Sequence, residues 1–271
     1  MTEVAYIDRP SRALYFYAIL YLGFLYIPVL FLPMFSFNDN IYIAFPLKGF
    51  TTKWYVEMFN NQPMWAALNN SLNVACVSAA IATLLGLFGA KAVTRYRIPG
   101  EKPIIFVIML PMVVPYIIMG VALLILVTRL GIDLSLYTVT MAHVLISVPF
   151  AMATLIARFE GFDQALEEAS VDLGASPLST FWRVTLPLVF PGVLASFLLC
   201  FTISFDEFIM AYFLAGTDPT LPIFIWSQLR FPTRLPGVLA LGSLILVVSF
   251  VVVFISQWLR RYRVEKTQPG I

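Results

Sequence analysis

Two adjacent acids, Asp206 and Glu207, stand inside an otherwise apolar stretch that runs from Gly192 to Leu214. A carboxylate at membrane depth costs about 2.5 to 3.5 kcal/mol on insertion scales, so each needs a partner, a watery cavity or a cationic ligand. Tyr116 and His143, the single histidine, lie in two further apolar stretches. A second group of acids, Asp163, Glu167, Glu168 and Asp172, falls in a polar segment at helical spacing, where like-charged pairs four apart disfavour an isolated helix by about 0.2 to 0.5 kcal/mol. No basic residue of that segment pairs with them at helical spacing, so they form either a docking face for an external basic surface or a solvated acidic face. No Gly-rich loop ending in Gly-Lys-Ser/Thr is present to cradle phosphates, and one histidine without a clustered nucleophile gives no evident active site. Neither observation favours an enzyme.

The elements that must position these residues follow from composition. Of 271 residues, 60% are hydrophobic and 12% charged, against about a quarter charged in a soluble domain. Fifteen acids and 17 bases cannot cover a water-soluble globule of this size. The mean hydropathy of +0.88 agrees. A net charge of +2 with no concentrated basic face argues against nucleic acid as a partner. Cys76 and Cys200 both lie in apolar segments and read as packing residues.

A bilayer core of about 30 Å takes roughly 20 apolar residues as helix. Six stretches qualify: Ala13 to Phe35, Ser71 to Val93, Pro103 to Val127, Leu136 to Ala157, Gly192 to Leu214 and Gly237 to Trp258. The reading is an all-α, polytopic protein, a single transmembrane domain over 1–271, because helices satisfy their backbone within the segment. The first stretch is too long for a secretory h-region and lacks a small-residue cleavage site, so it reads as a retained helix. Alternate loops separate the bases. On one side are Arg9, Arg12, Lys91, Arg95, Arg97, Lys102, Arg158, Arg183, Arg260, Arg261, Arg263 and Lys266, and on the other Lys48, Lys53, Arg129, Arg230 and Arg234. The bias places both termini and the 158–191 loop in the cytoplasm. The tail from Val264 to Ile271 reads as short, polar and loose. Trp54, Trp65 and Trp258 read as an interfacial aromatic belt.

Within the 158–191 loop, Phe162, Ala165, Leu166, Ala169 and Leu173 share one face of a predicted helix. Gly174 stops it, Ser176 and Pro177 start a second short helix, and Pro187 ends that one. At 1.5 Å per residue, Asp206 lies about 22 Å along the fifth span, Tyr116 about 20 Å along the third and His143 about 10 Å in from the outer end of the fourth. All three share roughly one level. Adjacent helical residues point about 100° apart, so Asp206 and Glu207 cannot both face one pore. Each either lines a path or gate, or makes an interhelical or subunit contact, and for His143 a hydrogen-bonded packing role is favoured.

Glu168-Ala169-Ser170, Gly174 four residues on, then Val184 and Leu186-Pro187 resemble the EAA signature of ABC importer permeases, with Ser170 for the third alanine and Val184 for isoleucine. Ser36-Phe37-Asn38, Thr52-Lys53-Trp54-Tyr55, Asn70-Ser71-Leu72 and Ser204-Phe205-Asp206-Glu207-Phe208 extend the resemblance over most of the chain, most closely to the second permease of spermidine/putrescine-type systems. The resemblance implies a type I importer permease in the bacterial cytoplasmic membrane, with a second homologous permease, two ATPase subunits that use ATP and Mg, and an extracytoplasmic substrate-binding protein. No cofactor is expected on this chain. The loop would be the coupling helix, with Glu168 orienting the ATPase contact and Gly174 permitting the bend and close approach of its two short helices. Many relatives carry an acid where this chain has Tyr116. That loss leaves a less charged or zwitterionic amine, an amino-acid derivative or an opine-like compound as alternatives to a polyamine. A self-sufficient carrier or channel would also use intramembrane acids and broken helices.

Overall fold

The computed structural model describes residues 12–267, with side chains described up to Val251 and at Phe254. Among the described residues the structure is helical, and the one β pairing is an isolated bridge between Asn38 and Phe50. The chain forms two compact units, Met1–Gln62 with Ser227–Ile271, and Pro63–Trp226.

In the first unit, α1 (Arg12–Ser36) packs against α12 (Leu235–Thr267), which also meets the short α2 (Lys53–Phe59). The Tyr55 hydroxyl ties these together, 2.6 Å from Ser36 Oγ and 3.2 Å from Ser243 Oγ. Trp54 departs from the expected aromatic belt: it is buried and donates its indole N–H to the Asn38 carbonyl at 2.9 Å. Its ring therefore packs on the protein and organises the loop after α1. Trp65 is partly exposed, and the side chain of Trp258 lies outside the described residues. Helix α12 continues through Val264 to Thr267, so part of the expected loose tail is helical. Arg9 and residues 268–271 lie outside the described residues.

The second unit contains α3 (Gln62–Arg95), α4 (Glu101–Met109), α5 (Tyr116–Arg129), α6 (Leu136–Glu160), α7 (Ala165–Asp172), α8 (Pro177–Thr180), α9 (Leu186–Asp206) and α10 (Ile209–Leu214), leading into α11 (Leu221–Gln228). Small residues set its packing. A Cβ added at Gly86 of α3 would lie 2.7 Å from the Ala151 Cβ and 2.9 Å from the α6 backbone, so these helices approach closely. Ala79, Ala82, Ala151 and Cys200 form one core cluster between α3, α6 and α9; Leu87, Ala90, Leu155, Phe159, Phe181 and Val189 form another.

Among the described residues five helical stretches are long and apolar enough to cross a membrane, and the pair Glu101–Met112 and Tyr116–Arg129, bent by 100°, makes a sixth if it is taken as one span. The third expected span is thus broken. Pro111 sits in a 3-10 turn and Pro115 is extended, with ψ 132°; a proline has no N–H for the helix ladder and disfavours helical geometry before it. The fifth expected span differs too. The helical path begins at Pro177, runs through a π turn at Phe181–Thr185 into α9, and stops at Asp206, so residues 207–214 belong to a separate turn and helix. Pro187 does not end the second short helix: it lies just after the π turn, and the helical path continues through it along α9.

Candidate functional site

The loop between α6 and α9 begins with Asp163, whose Oδ1 accepts the Ala165 N–H at 2.9 Å and so starts α7. Gly174 closes it at φ +85°, a conformation that L side chains resist. Nothing lies within 4 Å of a Cβ built there, so the glycine serves the turn and not the close approach expected from the sequence. Ser176 then caps α8, its hydroxyl accepting the Ser179 N–H at 3.3 Å, with Pro177 in the first position.

Helix α7 turns one of its acids inward and leaves its apolar residues outside. Leu166, Ala169 and Leu173 point away from the chain, with Leu173 89% exposed. The face turned inward is polar. Glu167 is nearly buried, its Oε2 2.5 Å from Arg95 Nε, and it also accepts the hydroxyl of buried Thr185. Ser170, one turn on, lies 3.0 Å from the Thr180 hydroxyl. Glu167 therefore leaves the expected acidic docking face. The partner that sequence spacing failed to supply comes from the end of α3, 72 residues earlier. Asp163, Glu168 and Asp172 remain exposed, and Glu168 accepts a hydrogen bond from Gln164 at 3.0 Å. Ala169, Ser170, Leu173, Val184 and Pro187 line one groove beside α7, while Leu186 turns to the core cluster around Phe159.

Arg95 does more than pair with Glu167. Its Nη2 donates to the Phe159 carbonyl at 3.0 Å, and its guanidinium lies 4.6 Å from the Phe162 ring centroid. The neighbouring Arg158 donates Nε and Nη2 to the Leu188 carbonyl at 3.1 and 2.6 Å, joining α6 to the start of α9.

At the far end of α9 the two adjacent acids separate. Asp206, the last residue of the helix, is exposed and has no hydrogen-bond or ion-pair partner among the described residues. Glu207 is 6% exposed and turns back onto the chain. Its Oε1 accepts the Ile209 N–H at 2.9 Å, and Oε2 accepts those of Met210 and Ala211 at 2.8 and 3.2 Å. The carboxylate thus satisfies the orphan donors of α10, as helix N-terminal acids do. His143, buried in α6, sets Nε2 3.4 Å from the same Oε2, within ion-pair range but outside hydrogen-bond geometry. Its Nδ1 lies 2.7 Å from Ser204 Oγ, which accepts from Ser78 Oγ at 2.8 Å. Tyr116 packs on the cluster that contains Met210 and Ala211.

The structure therefore joins His143 to Glu207 and turns Asp206 away from both. The third span is bent by 100°, yet Tyr116 still falls beside them, packed on the cluster that holds Ala142, Met210 and Ala211. Ser78, Ser204, Arg95 and Thr185 were missed. The spacing of Ser204 three residues before Glu207 was a legible signal for one of them; nothing local marked the other three.

The model of the family described as "Binding-protein-dependent transport system inner membrane component" matches residues 82–264. The chain belongs to this family. The permease is 37% identical over 240 residues to the spermidine/putrescine transport system permease protein PotC of Escherichia coli (strain K12), covering 88% of this chain and 90% of that protein. It is 35% identical over 258 residues to the putrescine transport system permease protein PotI of the same organism, covering 92% and 91%. A crystal structure of a bacterial ABC transporter for import of the acidic polysaccharide alginate has the same fold, with a TM-score of 0.69, 16% identity and coverage of 92% of the permease and 98% of the matched chain.

Proposed function

We propose that this permease is the second membrane subunit of an ATP-driven importer that carries a polyamine such as spermidine or putrescine inward across the bacterial cytoplasmic membrane by alternating access. The observation that carries the reading is α7: a short helix whose apolar residues Leu166, Ala169 and Leu173 face outward while its polar face is fastened to the chain through Glu167 and Ser170. Apolar side chains facing water at a loop tip mark a docking surface. Here the occupant is one of two ATPase subunits that use ATP and Mg, one under each permease. The exposed acids Asp163, Glu168 and Asp172 surround the apolar knob and attract a basic rim. On this reading the loop and both termini are cytoplasmic, and the permease itself has no ATPase site. A second homologous permease completes the pathway, and a substrate-binding protein delivers the solute from outside.

The polyamine assignment rests on the names of the two relatives and on Asp206. An exposed, unpartnered carboxylate at the end of a span offers a negative charge that an amine cargo complements. Glu207, already holding three N–H groups, is not available to the solute.

Reconstitution in proteoliposomes with the partner permease, the ATPases and the binding protein tests this. Labelled spermidine uptake is expected to require ATP, and Leu173→Asp is expected to release the ATPases and abolish uptake. Uptake by the permease without ATPase subunits would refute the assignment in favour of a self-sufficient carrier. Retention of the ATPases by Leu173→Asp would refute the docking surface.

A further inference from the structure

The carboxylate of Glu167 is the only point among the described residues where α7 reaches, through side chains, both of the long helices that lead to Asp206. One oxygen takes the Arg95 guanidinium at the end of α3; the other takes the Thr185 hydroxyl in the π turn that leads into α9. From Arg95 no proline interrupts α3 back to Ser78, 17 residues or about 26 Å away. From Thr185 the helical path, which carries Pro187 and Pro191 near its start, runs to Ser204, 19 residues or about 28 Å away. The two arms meet again there, Ser78 Oγ bonding Ser204 Oγ at 2.8 Å, two residues from Asp206. Between their ends they are packed through the Ala79, Ala82 and Cys200 cluster and share the core around Leu87 and Val189.

We infer that Glu167 is the positioning residue that converts displacement of α7 into a joint movement of α3 and α9, and so into a change at Asp206. The inference rests on the docking reading above. The physical ground is geometry and stiffness. Side chains in close-packed cores pass displacement on instead of absorbing it, and a largely desolvated Arg–Glu contact holds its geometry better than an exposed pair. Among the described residues the other side-chain hydrogen bond from α7 to the following elements, Ser170 with Thr180, reaches α8, and α7 also packs on the π turn at Phe181–Thr185, but neither contact reaches α3. Without Glu167, α7 would still dock and keep its packing on the π turn, but would lose its tie to α3.

The test uses the assembled transporter in proteoliposomes, reading ATP hydrolysis and solute uptake together. Glu167→Gln and Arg95→Gln each strand a mostly buried charge, so each is expected to lower the melting temperature as well as the ratio of uptake to hydrolysis. In the double variant no charge is stranded. Its melting temperature is expected to recover toward the native value while the ratio stays at least about tenfold low and no lower than in either single variant, the non-additivity of two residues in one link. Thr185→Val, which removes only the α9 bond and leaves no charge behind, is expected to lower the ratio with the ATPases retained. Recovery of the ratio together with the melting temperature would assign the pair a purely structural role and overturn the inference. So would a native ratio in Thr185→Val, or loss of the ATPases from the double variant. Leu173→Asp, run in parallel, separates the two readings: if it keeps the ATPases, docking at α7 itself is wrong; if it loses them while the double variant transports with the native ratio, only the Glu167 link is wrong.

Discussion

Replacing Glu207 and Asp206 one at a time separates a buried cap from an exposed acid, although the two are neighbours in sequence. Glu207→Ala leaves the N–H groups of Ile209, Met210 and Ala211 without their acceptor and removes the carboxylate beside His143 Nε2. An unsatisfied buried polar group costs about 1 to 3 kcal/mol, and a lost N-cap costs about 0.5 to 2 kcal/mol. Because part of the first turn can relax toward water, a total of about 3 to 5 kcal/mol is expected, less than three full penalties. Glu207→Gln keeps one oxygen. Turned toward Met210 and Ala211 it preserves two of the three bonds and presents its amide to the Ile209 N–H, for a cost of about 1 to 3 kcal/mol. Asp206→Ala removes no contact and is expected to change stability by less than about 0.5 kcal/mol. At about 2 to 4 °C per kcal/mol for a chain of this size, the melting temperature of the purified complex orders as native close to Asp206→Ala, then Glu207→Gln, then Glu207→Ala. Uptake orders differently, with Asp206→Ala raising the solute concentration needed for half-maximal rate. The cap assignment fails if Glu207→Ala melts with the native protein, or if Asp206→Ala is the variant that loses stability.

Gly86→Val brings two methyl groups into a space where a single Cβ already comes within 2.9 Å of the α6 backbone, so α3 must move off α6; a loss of more than about 2 kcal/mol is expected in the same melting assay, and unchanged melting would contradict the close approach. With Cys76→Ser and Cys200→Ala as background, a cysteine introduced at Asn60 is expected to react with a membrane-impermeant maleimide in intact cells and one introduced at Leu173 only after lysis. The opposite pattern would invert the orientation and place α7 outside.

Hydropathy located the spans because a helix that crosses hydrocarbon needs a long apolar run whatever it packs against. It read 103–127 and 192–214 as unbroken spans, whereas the third bends by 100° and α9 ends at Asp206, because hydropathy registers the apolar run and not the path of the backbone through it. Along the 158–191 loop, Gly174 and the Ser176-Pro177 pair were legible because left-handed backbone and N-capping are demands met by few residue types. The family signature was equally legible, being a matter of spacing along the chain.

What only the tertiary structure decided is which way each side chain faces. Four acids in the loop look alike in sequence, yet Glu167 is withdrawn from the surface because Arg95, Phe159 and Thr185 converge on it from three distant segments. Asp206 and Glu207 look alike as well, and the difference between an exposed acid and a cap arises where the chain leaves the helix, at a ψ of 121° on Glu207. Periodicity fixes angles within one helix but carries no information about what stands opposite. For charges in a medium of low polarity, what stands opposite determines whether a carboxylate serves as anchor, cap or ligand.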